Sequence, residues 1–123
     1  MNDLFFLLAG AVALVWLSVH LFLGGKQIAS PILKAPDLDP IVRDTQYLCW
    51  HFTSVAIAAM AVLNLCAVIV AERAYAAAAF GLATGFFIVG VGLVVQLRGR
   101  HSDLPQGWLF LPVAMLGALG LWL

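Results

Sequence analysis

The chain has 123 residues, of which 64% are hydrophobic and only 10% are charged, and its mean hydropathy is +1.07. An ordinary soluble domain is about 45–50% apolar and about 25% charged. A domain this small leaves too much surface facing its solvent to hide such an excess in a core. Most of that surface must therefore face lipid. Six Lys and Arg balance six Asp and Glu, so the charge gives no reason to expect nucleic acid as a partner.

Four apolar segments of membrane-spanning length follow one another along the chain. The predicted helices cover residues 4–23, 47–71, 74–97 and 104–123. The apolar stretch from 47 to 97 would be roughly 76 Å long as one helix, more than twice the hydrocarbon thickness. Its only charged residues are Glu72 and Arg73, so the chain must turn there. We therefore predict an all-α integral membrane protein, one domain over 1–123, with four transmembrane helices in an antiparallel up-down bundle.

Particular residues predict where the first span and the linker that follows it begin and end. Asp3 stands where a signal peptide has basic residues, and no A-x-A cleavage site follows, so this segment is expected to stay as a span. Gly24-Gly25 is expected to end helix one, leaving residues 24–46 as a cytoplasmic linker. Asp39-Pro40 is typical of an N-cap followed by proline at the first helical position, so a start of helix two near residue 40 stays open.

Cationic side chains indicate the orientation, because cytoplasmic loops carry an excess of Lys and Arg. Five of the six lie in the first and third loops, and we expect them to bind lipid headgroups as well. These five are Lys26, Lys34, Arg43, Arg98 and Arg100. Both termini are therefore predicted on the non-cytoplasmic face. The short loops and the lack of a targeting signal favour a bacterial inner membrane.

The three histidines fall at one depth of the predicted bundle. His20 lies about one turn inside the end of helix one, His51 lies about one turn inside the start of helix two, and His101 follows helix three. Polar groups at membrane depth are costly and tend to face the bundle or a water-filled cavity. We therefore predict a histidine-lined pocket near the cytoplasmic interface. Its candidate ligand or metal residues are Trp16, His20, Asp44, Tyr47, His51, Ser54, Gln96 and His101.

Small residues predict where the helices pack. Helix three carries Gly81, Gly85 and Gly92 on one side, and small residues let helix backbones approach closely in lipid. We therefore predict that these glycines make helix three the packing centre of the bundle.

The chemistry of the predicted pocket stays open among several alternatives. Neutral imidazole binds transition metals, a carboxylate such as Asp44 could complete a site, and two histidines could ligate haem. A histidine could instead relay protons or act as a general base, or simply hydrogen-bond to a neighbouring helix or headgroup. No H-x-x-E, C-x-x-C or H-E-x-x-H spacing supports one of these above the others.

Three functions follow from these alternatives. The leading hypothesis is a small membrane protein whose histidine-lined pocket binds a metal, a cofactor or an amphipathic ligand. The second is a transporter or channel subunit that works as a homo-oligomer. The third is a non-catalytic partner that stabilises another membrane protein. Whether the protein is an enzyme stays open, although the pocket offers few carboxylates or nucleophiles. Membrane lipids are the one partner that all three hypotheses share.

Overall fold

Four helices form the bundle in a computed structural model that describes residues 2–123. Their bounds are Asp3–Leu33 (α1), Pro40–Ile69 (α2), Arg73–Gln96 (α3) and Gln106–Trp122 (α4). The described residues contain no strand. The first three helices are long and apolar enough to cross a membrane, and α4 is a shorter apolar helix. The predicted all-α membrane bundle is thereby confirmed.

The helices form a ring in chain order. Each packs against the next, and α4 closes the ring against α1. At one end, the Asn2 backbone N–H donates to the Gly120 carbonyl at 2.9 Å, and Arg73 Nη2 donates to the Leu121 carbonyl at 2.7 Å. We call this end, with both termini and the α2–α3 turn, the terminal end. The opposite end, with residues 34–39 and 97–105, is the linker end.

The core lies along one face of each helix, at positions spaced alternately three and four residues apart. The buried residues that follow this spacing are Phe6, Ala9 and Ala13 on α1, Ser54, Ile57, Ala61 and Asn64 on α2, Ala76, Ala79 and Ala83 on α3, and Gly107, Phe110, Ala114, Gly117 and Leu121 on α4. Such spacing is the seam of left-handed helix packing. Most of these residues are Ala or Gly, so the helix backbones approach closely.

The predicted packing face of α3 is wrong for contacts within the chain. Gly81, Gly85 and Gly92 are exposed, and a Cβ built on any of them would meet no atom of the described residues within 4 Å. The opposite choice of face buries α3 phenylalanines, including Phe80 and Phe86, against the core. Burying these rings gains far more dispersion contact than burying glycines would. The glycine row therefore points away from the bundle.

A different glycine of α3, Gly90, lies in direct backbone contact with α4. A Cβ on Gly90 would lie 2.5 Å from the Cα of Gly107, and a Cβ on Gly107 would lie 2.6 Å from the backbone nitrogen of Val91. Real Cβ contacts are never this short, so the two backbones touch where α4 begins. This crossing fixes the start of α4 against α3 at the linker end.

Helix α1 does not end at Gly24-Gly25, contrary to the prediction. It continues as a π-helix over Val19–Ala29 and closes with an α-helical turn over Ser30–Leu33. No glycine among residues 2–123 has a positive φ, so the pair does not form the left-handed C-cap that would end the helix. The linker shrinks to residues 34–39, and α2 begins at Pro40. The π-helical segment places the C-terminal part of α1 against the first turns of α2.

Candidate functional site

A cleft opens at the linker end between the π-helical segment of α1 and the first half of α2. Its cavity volume is about 240 Å³. One wall is α1 and the other is α2, and we call the space the interfacial cleft. Its lining residues are Leu21, Gly25, Ala29, Ser30, Leu33, Tyr47, Trp50 and His51. Charged residues stand within one turn of lining residues on both helices, at Lys26 and Asp44.

His20 packs against Trp50 of the α2 wall, on the side away from the cleft. Its ring stacks on the Trp50 indole with centroids 3.9 Å apart and an angle of 13° between the planes. Its Nε2 lies 3.3 Å from the Trp50 backbone carbonyl. A carbonyl can only accept, so this contact requires the proton on Nε2. The Ser54 hydroxyl donates to the same carbonyl at 3.1 Å. His20 thus connects the π-helical segment to α2 by ring stacking and by the Nε2–H hydrogen bond.

The Trp50 indole packs directly on Gly24, whose lack of a side chain leaves room for the ring. A Cβ on Gly24 would be 2.7 Å from Cη2 of Trp50, so any side chain there would collide with the ring. The neighbouring Gly25 is different, since a Cβ on it would meet no atom of the described chain within 4 Å. The two adjacent glycines therefore have different structural roles. Gly24 admits the indole, and Gly25 leaves the α1 wall of the interfacial cleft without a side chain.

Tyr47 and His51 form the outer part of the α2 wall. They lie one helical turn apart, and their rings meet edge to face with centroids 4.7 Å apart. Neither side chain hydrogen-bonds to another residue within 2–123. Their polar atoms are therefore available to a molecule in the cleft.

The structure brings together only some of the residues that the sequence grouped into one pocket. Tyr47 and His51 line the interfacial cleft, whereas the ring of His20 lies behind Trp50 and is absent from the lining. His101 belongs to another cluster, because its Nδ1 accepts from Trp108 Nε1 at 3.1 Å. His51 therefore lines the cleft without His20.

The remaining candidates lie outside the cleft. Asp44 is exposed and pairs with Arg43 at 2.8 Å, and Gln96 is exposed at the end of α3. Ser54 is buried in the core rather than in the cleft. Trp16 packs against the core, and its Nε1 is buried without a hydrogen-bond partner in the described chain.

Metal or haem coordination finds little support in this arrangement. Within residues 2–123, no three His, Cys, Asp or Glu side chains come together as a metal site. A bis-histidine haem site would need His20 and His51 to face one shared space, yet the His20 ring stacks on Trp50 and does not line the cleft that His51 lines. The donors present in the cleft suit hydrogen bonding to an organic molecule better than metal ligation.

Five cationic side chains lie at the linker end, as their sequence positions require. Of these five, Arg43 is half-buried and the others are exposed. Arg100 lies 3.8 Å from Asp103 in a fully solvated pair, a geometry that contributes little to stability. The residues in question are Lys26, Lys34, Arg43, Arg98 and Arg100. Headgroup binding by these residues stays a prediction.

Sequence reasoning missed most of the α1 wall. Gly25, Ala29 and Ser30 fall within the linker that the sequence predicts, and Trp50 is not among the predicted site residues. One signal was available: Trp50 stands three residues after Tyr47 and next to His51, a spacing that gathers aromatic rings on one side of a helix.

No known protein family, curated protein or solved structure matches this chain.

Proposed function

We propose that this small membrane protein binds the polar head of an amphipathic, lipid-soluble molecule in the interfacial cleft. The observation that carries the proposal is the composition of the two walls. One has almost no side-chain volume at Gly25 and Ala29, and the other presents amphipathic rings at Tyr47, Trp50 and His51. Aromatic residues with a polar edge suit a site that is apolar on one side and wet on the other.

The size of the cleft supports binding of a head group rather than of a whole ligand. Sites for drug-sized molecules measure about 300–1,000 Å³, and this cleft measures about 240 Å³. Leu21 and Leu33 lie on its lining and are exposed, so an attached chain can leave along them into lipid.

The same proposal places the cleft on the cytoplasmic side, with both termini on the opposite face. Five of the six cationic side chains lie at the linker end, and only Arg73 lies at the terminal end. In bacterial cells, a C-terminal alkaline phosphatase fusion is expected to be active and a C-terminal green fluorescent protein fusion dark. The reverse pattern would place the cleft on the outer side without removing it.

A photoreactive amphiphile tests binding directly. The probe is a monoacylglycerol with a diazirine beside the head group and an alkyne at the chain end, added to the protein in nanodiscs. Irradiation is expected to label peptides containing residues 21–33 and 47–51. Labelling should saturate with probe concentration, whereas mere partitioning into lipid would rise linearly.

Gly25→Leu is the variant that should abolish this labelling. The new side chain enters open space in the cleft, so the fold is retained while the head group is excluded. Overpacking an occupied site costs roughly 1–3 kcal/mol, so labelling should fall about tenfold. Gly85→Leu is the matched control, because it adds the same side chain to open space on the outer face of α3. Equal labelling of the two variants, or labels spread evenly along all helices, would overturn the proposed function.

A further inference from the structure

The lining of the interfacial cleft carries no formally charged residue type. No Lys, Arg, Asp or Glu is among its eight lining residues, although such residues are frequent elsewhere at the linker end. A charged head group that entered this space would lose hydration without gaining a counter-charge, which is costly. The lining therefore selects for an uncharged head.

Three residues with hydrogen-bonding side-chain groups line this site. These groups are the hydroxyls of Ser30 and Tyr47 and the imidazole of His51. None of them donates a hydrogen bond to another residue in the described chain. Each can donate a hydrogen bond to an acceptor oxygen. A head group that carries carbonyl oxygens would satisfy donors that α1 and α2 contribute from opposite walls.

The shape of the space favours a flat molecule. The α1 wall is lined by Gly25 and Ala29, while the α2 wall carries three aromatic rings. Trp50 cannot turn freely within this wall, because His20 stacks on it and Gly24 lies against its edge. A slot between a small-residue wall and fixed aromatic rings suits a planar ring, which can stack or meet the rings edge to face.

We propose that the head group bound in the interfacial cleft is an uncharged planar ring bearing carbonyl oxygens, the chemistry of lipid-soluble quinones. The ring lies between the walls, its oxygens accept from Ser30, Tyr47 or His51, and its chain passes Leu33 into lipid. This inference rests on the proposed function and concerns binding alone.

Competition against the photoreactive monoacylglycerol tests the head-group class. Four competitors share a ten-carbon chain: a decyl-substituted benzoquinone, decanoate, decylammonium and monodecanoylglycerol. The quinone is expected to compete best, by about three- to tenfold over monodecanoylglycerol, since both carry carbonyl acceptors but only the quinone has a ring that can pack against the aromatic wall. Quinones also quench indole fluorescence, so a protein retaining only Trp50 should be quenched saturably.

Two variants connect the preference to the named donors. His51→Phe and Tyr47→Phe keep a ring but remove the polar atom, so each should weaken quinone competition by about three- to tenfold. His101→Phe is the matched control, because that histidine lies outside the cleft beside Trp108. Labelling by the photoprobe reports whether each variant still folds with an open cleft.

The outcomes separate this inference from the proposed function. Best competition by decanoate or decylammonium would overturn the uncharged head, and equal competition by monodecanoylglycerol would overturn the planar ring. Both results would leave an amphiphile site standing. Absence of saturable labelling would remove the site itself, and the quinone with it.

Discussion

Replacing Gly90 with alanine is expected to destabilise the bundle, whereas the same replacement at Gly85 is expected to stabilise it. The new methyl group at Gly90 would lie 2.5 Å from the Cα of Gly107, and a backbone cannot rotate away as a side chain can. Overpacking costs roughly 1–3 kcal/mol, occasionally more, which exceeds the 0.5–1 kcal/mol or so that a helix gains from alanine over glycine. At Gly85 only that gain remains, because the site is open.

The two variants are compared by thermal unfolding in one detergent, followed by circular dichroism at 222 nm. We expect the highest Tm for Gly85→Ala, an intermediate Tm for the wild type and the lowest Tm for Gly90→Ala. Gly107→Ala should behave like Gly90→Ala, since it closes the same contact from the other helix. A Gly90→Ala protein that melts with the wild type would show that α4 does not begin against α3. A strongly destabilised Gly85→Ala protein would restore the glycine row as a packing face.

Replacing Gly24 with alanine is expected to displace the Trp50 ring and damage the interfacial cleft, while Gly25→Ala should change little. A methyl group at Gly24 would approach Cη2 of Trp50 to 2.7 Å. The indole must then leave its seat and lose its stacking on His20, an arrangement worth about 0.5–1.5 kcal/mol beyond area burial. Together with the overpacking cost of roughly 1–3 kcal/mol, this should reduce photoprobe labelling by about tenfold or more.

The displaced ring can be observed without any ligand. In a protein that retains Trp50 as its only tryptophan, Gly24→Ala should weaken the near-ultraviolet circular dichroism and shift the emission maximum. Gly25→Ala serves as the control, because it adds the same methyl group one residue away, in open space. If both substitutions leave the Trp50 spectra unchanged, the indole does not lie on Gly24. If both change them equally, the separate roles of the two glycines are wrong.

The fold could be predicted because its main determinant is hydropathy. The four apolar segments and the single charged break at Glu72-Arg73 leave few arrangements in a bilayer, and the structure has the bundle that they predict. The end of α1 could not be predicted, since the preference of glycine for helix ends is a local tendency. In the folded chain, packing of Trp50 on Gly24 stabilises the continued helix instead.

The candidate site was predicted only in part, and the π-helical segment explains why. Tyr47 and His51 lie on a regular α-helix, where 100° per residue gives the correct face. The π-helix begins at Val19, and its wider turns shift the phase of the residues that follow, so Gly25, Ala29 and Ser30 come to line the cleft. On α3 the difficulty was different, because small residues occupy nearly every face and their positions alone do not identify the buried one.

The length of helix α2 has a consequence for the membrane around the protein. Helix α2 has 30 residues and is about 45 Å long, whereas a hydrocarbon core is about 30 Å thick. Its first turns carry Arg43 and Asp44, so these turns belong in the headgroup region and the apolar remainder in the hydrocarbon. Each ångström of hydrophobic mismatch costs a fraction of a kcal/mol, so small changes in tilt would let α2 adjust to bilayers of different thickness.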